Sequence, residues 1–89
     1  QGLLVVNGRC RIGDDCILRH GVTLGLRYLD RPLEVPTLGN RVNVGVGAVI
    51  LGGITIGDDV QIGANSVVLA DVPAGSTVVG NPARILPPR

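Results

Sequence analysis

The chain has 89 residues, of which 45% are hydrophobic, and a formal net charge of +1. Its eight basic residues are arginines scattered along the chain, and its only aromatic residue is Tyr28, so nothing indicates a nucleic-acid surface. The longest apolar run, roughly 44–54, is interrupted by glycine and is too short to span a bilayer. The length predicts a single domain, 1–89, whose small core needs additional buried surface to be stable.

A six-residue repeat begins near the start of the chain, in the blocks VNGRCR, IGDDCI and LRHGVT. Each block opens with an aliphatic residue, and the fifth places hold Cys10, Cys16 and Val22. Neither an α-helix nor an alternating strand repeats every six residues. A short strand followed by a tight corner does, because Gly, Asn and Asp tolerate the backbone that a corner requires. The repeat therefore predicts a solenoid of parallel β coils.

The segment 24–37, LGLRYLDRPLEVPT, interrupts this repeat. Its two prolines, its charged side chains and Tyr28 do not fit a narrow aliphatic core. We therefore expect a loop that protrudes from the solenoid. The loop either carries function, as loops on rigid scaffolds often do, or is an ordinary excursion of modest entropic cost.

The repeat resumes at Leu38 and continues to Pro73 in six further blocks. Three blocks would make one turn of a triangular prism, so residues eighteen apart should stack, as Ile50 with Val68 and Leu38 with Ile56. Each buried aliphatic side chain contributes roughly 1.5 to 3 kcal/mol, so these ladders should form the core. The first places of the blocks are Leu38, Val44, Ile50, Ile56, Ile62 and Val68.

Cys10 and Cys16 both occupy fifth places, on successive blocks. They should point inward from two different faces, whereas a disulfide requires Cα atoms within about 7 Å. We interpret them as two small core residues in a reducing compartment.

The sequence contains no methionine, and an apolar coil pattern is already present in GLLVV at its start. We therefore expect the chain to be a fragment of a longer protein, most simply its C-terminal part. Near the other end, Pro87 and Pro88 should stop further strand pairing.

The run IGDDVQIGANSVVLADVPAGSTVVGNPARI resembles the C-terminal half of the hexapeptide-repeat acyltransferases. Within that family, CILRHGVTLG and the following loop look most similar to the serine acetyltransferase-like branch, with sugar O-acetyltransferases close behind. The resemblance implies an all-β, left-handed parallel β-helix, although parallel crossovers are generally right-handed. It also implies a homotrimer, or a dimer of trimers, that works in the cytoplasm as an acetyl-CoA-dependent O-acetyltransferase.

The resemblance implies that acetyl-CoA, the co-substrate, lies along a groove between subunits. Backbone groups at third places of the blocks would hold its pantetheine arm, here Leu26, Val46 and Ala64. Arg84 would bind the coenzyme phosphates, since guanidinium binds phosphate oxygens bidentately. The alternative is that these third places only form corners, and that Arg84 only caps the last coil.

His20, at the third place of LRHGVT, is the only histidine in the chain. It is a candidate general base or hydroxyl-positioning group, because imidazole titrates near neutrality. The alternative is an outward-facing turn residue. The resemblance places the family's catalytic histidine immediately upstream of Gln1, and no covalent intermediate would require either cysteine.

The protruding loop differs from that of serine acetyltransferases, whose Asp-Arg-His-Pro segment holds the amino-acid substrate. In the corresponding place this chain has Glu34, Val35 and Pro36, while Asp30 and Arg31 keep an Asp-Arg pair slightly earlier. The carboxylate of Glu34 would repel that of serine. This repulsion favours an alcohol without a carboxylate, such as a sugar, while the resemblance itself implies serine, so we expect one of these two acceptors.

Three other functional classes use solenoids of this kind. A γ-type carbonic anhydrase gathers three histidines on zinc, which one histidine per chain cannot supply, so we expect no metal. An ice-binding solenoid would present ranks of threonine, but the threonines here fall out of register. A non-catalytic β-helix scaffold or assembly subunit remains the alternative to an enzyme.

Overall fold

The computed structural model describes residues 4–87, and in this range the secondary structure is entirely β. Residues 4–87 therefore include no candidate membrane-spanning helix. The strands are β1 Val5–Val6, β2 Arg11–Ile12, β3 Ile17–Leu18, β4 Thr23–Gly25, β5 Thr37–Leu38, β6 Asn43–Val44, β7 Val49–Leu51, β8 Thr55–Ile56, β9 Gln61–Ile62, β10 Val67–Val68, β11 Thr77–Gly80 and β12 Ala83–Ile85.

The strands form three sheets, which are the three faces of a prism. Their orders are β1-β4-β7-β10, β2-β5-β8 and β12-β11-β9-β6-β3. Strand pairs are parallel except for β11 with β12, which form an antiparallel hairpin at the end of the column. The expected left-handed parallel β-helix is confirmed.

The predicted stacking interval is also confirmed. Val68 pairs with Ile50, and Ile56 pairs with Leu38, each eighteen residues away. Across the loop the interval is larger, since Leu24 pairs with Ile50, 26 residues away. The loop therefore inserts eight residues without disturbing the faces that it joins.

Inward-facing aliphatic side chains form one continuous core. Ile50 and Ile56 are fully buried, and Ser66, the one buried polar side chain among the described residues, accepts a hydrogen bond from Gly80 N–H at 3.2 Å. Cys10 and Cys16 are free, partly buried and packed against this core. The fully or nearly fully buried hydrophobic residues are Val22, Leu24, Leu38, Val42, Val44, Ala48, Ile50, Ile56, Val60, Ile62, Val68, Val72 and Val78.

The protruding segment is shorter than 24–37. Leu24 and Gly25 lie in β4, where Leu24 is fully buried, and Thr37 begins β5. The segment between the strands is therefore 26–36. The coil retains Leu24 because its side chain stacks between those of Val6 and Ile50 in the core.

Three columns of corners connect the faces, and we name them by their third-place residues. Corner A contains Asp14, Asn40 and Asp58, corner B contains His20, Val46 and Ala64, and corner C contains Gly8, Leu26 and Gly52. Fourth-place residues such as Arg41 and Asn65 have φ of 58°, the left-handed conformation that glycine, asparagine and aspartate adopt most readily.

Candidate functional site

Corner B brings His20, Val46 and Ala64 into one column. Gly47 N–H donates to the carbonyl of His20 at 3.1 Å, and Asn65 N–H donates to the carbonyl of Val46 at 2.8 Å. These bonds run along the column and fix the spacing of the coils. The column therefore offers a regular row of peptide groups at one edge of the prism.

The N–H groups of Val46 and Ala64 take part in none of the hydrogen bonds described within residues 4–87. Corner A differs, because the side chain of the next coil accepts the equivalent N–H. Asp14 N–H donates to Asn40 Oδ1 at 2.8 Å, and Asn40 N–H donates to Asp58 Oδ1 at 2.7 Å. Valine and alanine cannot accept such a bond. The third-place donors of Val46 and Ala64 are thus free for a ligand, whereas those of Asp14 and Asn40 at corner A are occupied.

Two glycines keep the coils close together beneath corner B. A Cβ added to Gly45 would lie 2.6 Å from the backbone nitrogen of Ala64, and one added to Gly63 would lie 2.7 Å from a methyl carbon of Val79. Any side chain at either place would push the next coil away. The glycines therefore preserve the regular row of donors.

His20 occupies the first described position of this column and is exposed. Corner B contains no carboxylate, whereas corner A carries Asp14 and Asp58 at third places and Asp59 at a fourth place. A negatively charged or carbonyl-containing ligand would therefore meet less repulsion at corner B.

Leu26 does not belong to this column. It follows β4 and lies at corner C, between Gly8 and Gly52, at the opposite edge of the β1-β4-β7-β10 face. Of the three third places selected from the sequence, only Val46 and Ala64 come together within one chain.

Arg84 lies on β12, in the terminal hairpin, and is exposed. It borders an open cavity of about 250 Å³. The other lining residues, most of them apolar, are Val68, Ala70, Asp71, Val72, Val78, Ala83 and Ile85. Among the described residues its guanidinium forms no ion pair.

The loop 26–36 is organised around Tyr28. The guanidinium carbons of Arg27 and Arg31 lie 5.3 Å and 4.9 Å from the centre of its ring, within the range of cation–π contacts. Arg31 also lies 3.8 Å from Glu34 Oε1. Leu29, by contrast, is 91% exposed. The loop is therefore structured but presents an apolar tip.

The difference between corners A and B was not predicted from the sequence. The signal was present, because Asn or Asp recurs at the third place of corner A and never at corner B. The apolar outer face of the β1-β4-β7-β10 sheet was not predicted either. Its outward residues are aliphatic except for Thr23: Val5, Thr23, Val49, Leu51, Val67 and Leu69. The other two faces present residues such as Arg11, Thr37, Thr55, Asn43, Gln61 and Thr77.

The sequence of this chain is similar to those of several known acetyltransferases. The family described as bacterial transferase hexapeptide (six repeats) matches residues 36–70. A serine acetyltransferase of Helicobacter pylori is 53% identical over 83 residues, which is 93% of this chain and 48% of that protein. An Escherichia coli protein named as a colanic acid biosynthesis acetyltransferase is 46% identical over 82 residues, covering 92% of this chain and 50% of that protein.

A solved structure of Brucella abortus serine acetyltransferase in complex with coenzyme A superposes with a TM-score of 0.88 at 41% identity. The match covers 92% of this chain and 33% of that one. The chain spans about half the length of the curated relatives it matches.

Proposed function

This chain belongs to the hexapeptide-repeat transferases, in a branch similar to serine acetyltransferases, and from this premise we propose that its protein is an acetyl-CoA-dependent O-acetyltransferase. The observation that carries the proposal is the row of free N–H donors at corner B. A coenzyme arm with amide carbonyls requires such donors.

Val46 and Ala64 would hold the pantetheine arm through their backbone N–H groups. These donors are free, one coil apart and on an edge without carboxylates, which is the arrangement that an extended amide chain would fit. Leu26 would contribute from corner C of a neighbouring subunit rather than from the same column. Arg84, exposed and without an ion-pair partner among the described residues, would bind the coenzyme phosphates.

Acetyl-CoA supplies the thioester whose acetyl group is transferred. His20, exposed at the start of corner B, would position the acceptor hydroxyl or take its proton. The principal base would be the histidine that the family resemblance places N-terminal to this chain. The deprotonated hydroxyl attacks the thioester carbonyl, the C–S bond breaks, and backbone N–H groups stabilise the oxyanion that forms in between.

The proposed assembly is a homotrimer, or a dimer of trimers. The β1-β4-β7-β10 face supports it, because this face presents half-buried Val49, Leu51, Val67 and Leu69 where the other two faces present mostly polar residues. An 89-residue domain gains stability by burying such a face. Corner B lies along one edge of this face, so contact there would enclose the column in a cleft between subunits. The use of acetyl-CoA would place the protein in the cytoplasm.

The acceptor would be serine or a sugar hydroxyl. Glu34 and Arg31 are both about half exposed, so the carboxylate is only partly offset by its partner at 3.8 Å. In the proposed trimer the loop would reach toward a neighbouring subunit and wall its acceptor site, so the carboxylate of Glu34 would favour an acceptor without one. The similarity to the colanic acid biosynthesis protein is consistent with a sugar acceptor.

The direct test is acyl transfer by the full-length protein. Purified protein would be incubated with acetyl-CoA and, separately, serine, homoserine and sugar acceptors, and thiol release and acetylated product would be measured. We expect acetyl transfer to at least one hydroxyl. Coenzyme A binding without transfer to any of these acceptors would favour a non-catalytic β-helix scaffold. A protein that binds neither coenzyme A nor acetyl-CoA would refute the proposal.

A further inference from the structure

Both ends of the loop 26–36 rest on two adjacent glycines at corner C. A Cβ added to Gly52 would lie 3.3 Å from Cβ of Arg27, and one added to Gly53 would lie 3.1 Å from Cβ of Glu34. Gly52 is also at φ +95°, where side chains are strained. The loop therefore packs tightly on backbone near both ends, and a methyl group at either glycine would require Arg27 or Glu34 to shift by a few tenths of an ångström.

Two backbone hydrogen bonds link the base of the loop to its centre. Arg31 N–H donates to the Tyr28 carbonyl at 3.2 Å, and Glu34 N–H donates to the Arg31 carbonyl at 3.1 Å. These two turns join the Glu34 end to the ring that Arg27 and Arg31 contact. A displacement of Glu34 would therefore be passed on to Arg31 and Tyr28.

We propose that Gly52 and Gly53 are positioning residues that set the distance between the loop and the coil on which it packs. Through this distance they would affect the binding of the acceptor alcohol. This inference rests on the proposed function, in which the loop walls the acceptor site. Neither glycine would contact the acceptor. Their role is to let Arg27 and Glu34 approach the next coil, so the acceptor, rather than acetyl-CoA, should respond to a change there.

The test compares Gly53→Ala with Gly8→Ala in the full-length protein. Both glycines are exposed, lie at corner C and have backbone conformations that alanine accepts, but an added Cβ at Gly8 meets nothing within 4 Å. Both variants thus avoid left-handed backbone strain and differ in the contact with the loop. We expect Gly53→Ala to raise the acceptor KM roughly three- to tenfold and to leave the acetyl-CoA KM unchanged, while Gly8→Ala changes neither.

A second measurement does not depend on activity. Hydrogen–deuterium exchange of the amides of Arg31 and Glu34 should be faster in Gly53→Ala than in Gly8→Ala or the unmodified protein. Equal acceptor KM values in the two variants of an active enzyme would overturn the inference, as would a parallel rise in both KM values. An unmodified protein without acyl transfer would refute the proposed function instead, and the exchange rates would still decide whether Gly53 positions the loop.

Discussion

The difference between corners A and B leads to a specific prediction for Ala64→Asn. At corner A, the side chains of Asn40 and Asp58 accept the third-place N–H of the coil below at 2.8 Å and 2.7 Å. Asn40 and Asp58 are eighteen residues apart, as are Val46 and Ala64. An asparagine at position 64 should therefore accept the N–H of Val46 and close corner B in the same way.

The magnitude follows from the bond that acetyl-CoA would have to replace. A protein hydrogen bond contributes about 0.5 to 1.5 kcal/mol net, so closing one donor should raise the KM for acetyl-CoA roughly two- to tenfold. The acceptor KM should change little. The same bond should stabilise the folded state by a similar amount, which thermal unfolding of the variant would detect.

Steady-state kinetics with each substrate varied in turn would measure this effect. Ala64→Leu is the matched control, because leucine has nearly the shape of asparagine but cannot accept the N–H. Asn40→Leu is a second control, since it frees a donor at corner A and should leave the acetyl-CoA KM unchanged. An equal rise in KM for Ala64→Leu and Ala64→Asn would show a steric effect and would refute the hydrogen-bond reasoning.

Three further predictions concern stability and charge. Ile50→Ala should lower the free energy of unfolding by about 2 to 5 kcal/mol in urea titrations, because the side chain is fully buried, whereas Gln61→Ala on the exposed surface should change it by less than about 0.5 kcal/mol. Gly57→Ala should cost about 1 to 3 kcal/mol, since the new Cβ would lie 2.5 Å from the backbone nitrogen of the residue stacked on it; an unchanged melting temperature would contradict the close packing of the coils. Hydrogen bonds from the guanidinium of Arg41 lower the pKa of Asp59. The stabilisation from this exposed pair should therefore be present above the ordinary carboxyl pKa and lost as the pH falls through the lowered pKa. Arg41→Gln should raise the pKa of Asp59 in an NMR titration.

The six-residue period was sufficient to predict a solenoid of parallel β coils, whereas its left hand was implied only by the family resemblance. Apolar first places require inward strands, and glycine, asparagine or aspartate at the third and fourth places permits corners. The stacking of Ile50 with Val68 and of Leu38 with Ile56 followed from three blocks per turn. These features are local and repeat along the chain, so they could be predicted without knowledge of distant contacts.

The candidate site could be predicted only in part. Val46 and Ala64, which are eighteen residues apart, lie in one column as expected. Leu26 lies at corner C, so its part in the site stays a prediction that depends on a neighbouring subunit. The loop boundary was also two residues early, because Leu24 reads as part of an irregular segment until its partners in the core are known.

The sequence by itself determined the repeat, the inward aliphatic ladder and the position of the interruption, because each depends on residues only a few places apart. The tertiary structure alone decided which peptide N–H groups remain free and which glycines support the loop. Whether the donor of Val46 has a partner depends on the side chain eighteen residues later, and whether Gly53 can carry a methyl group depends on Glu34 across the corner. Such contacts form only when the coils stack.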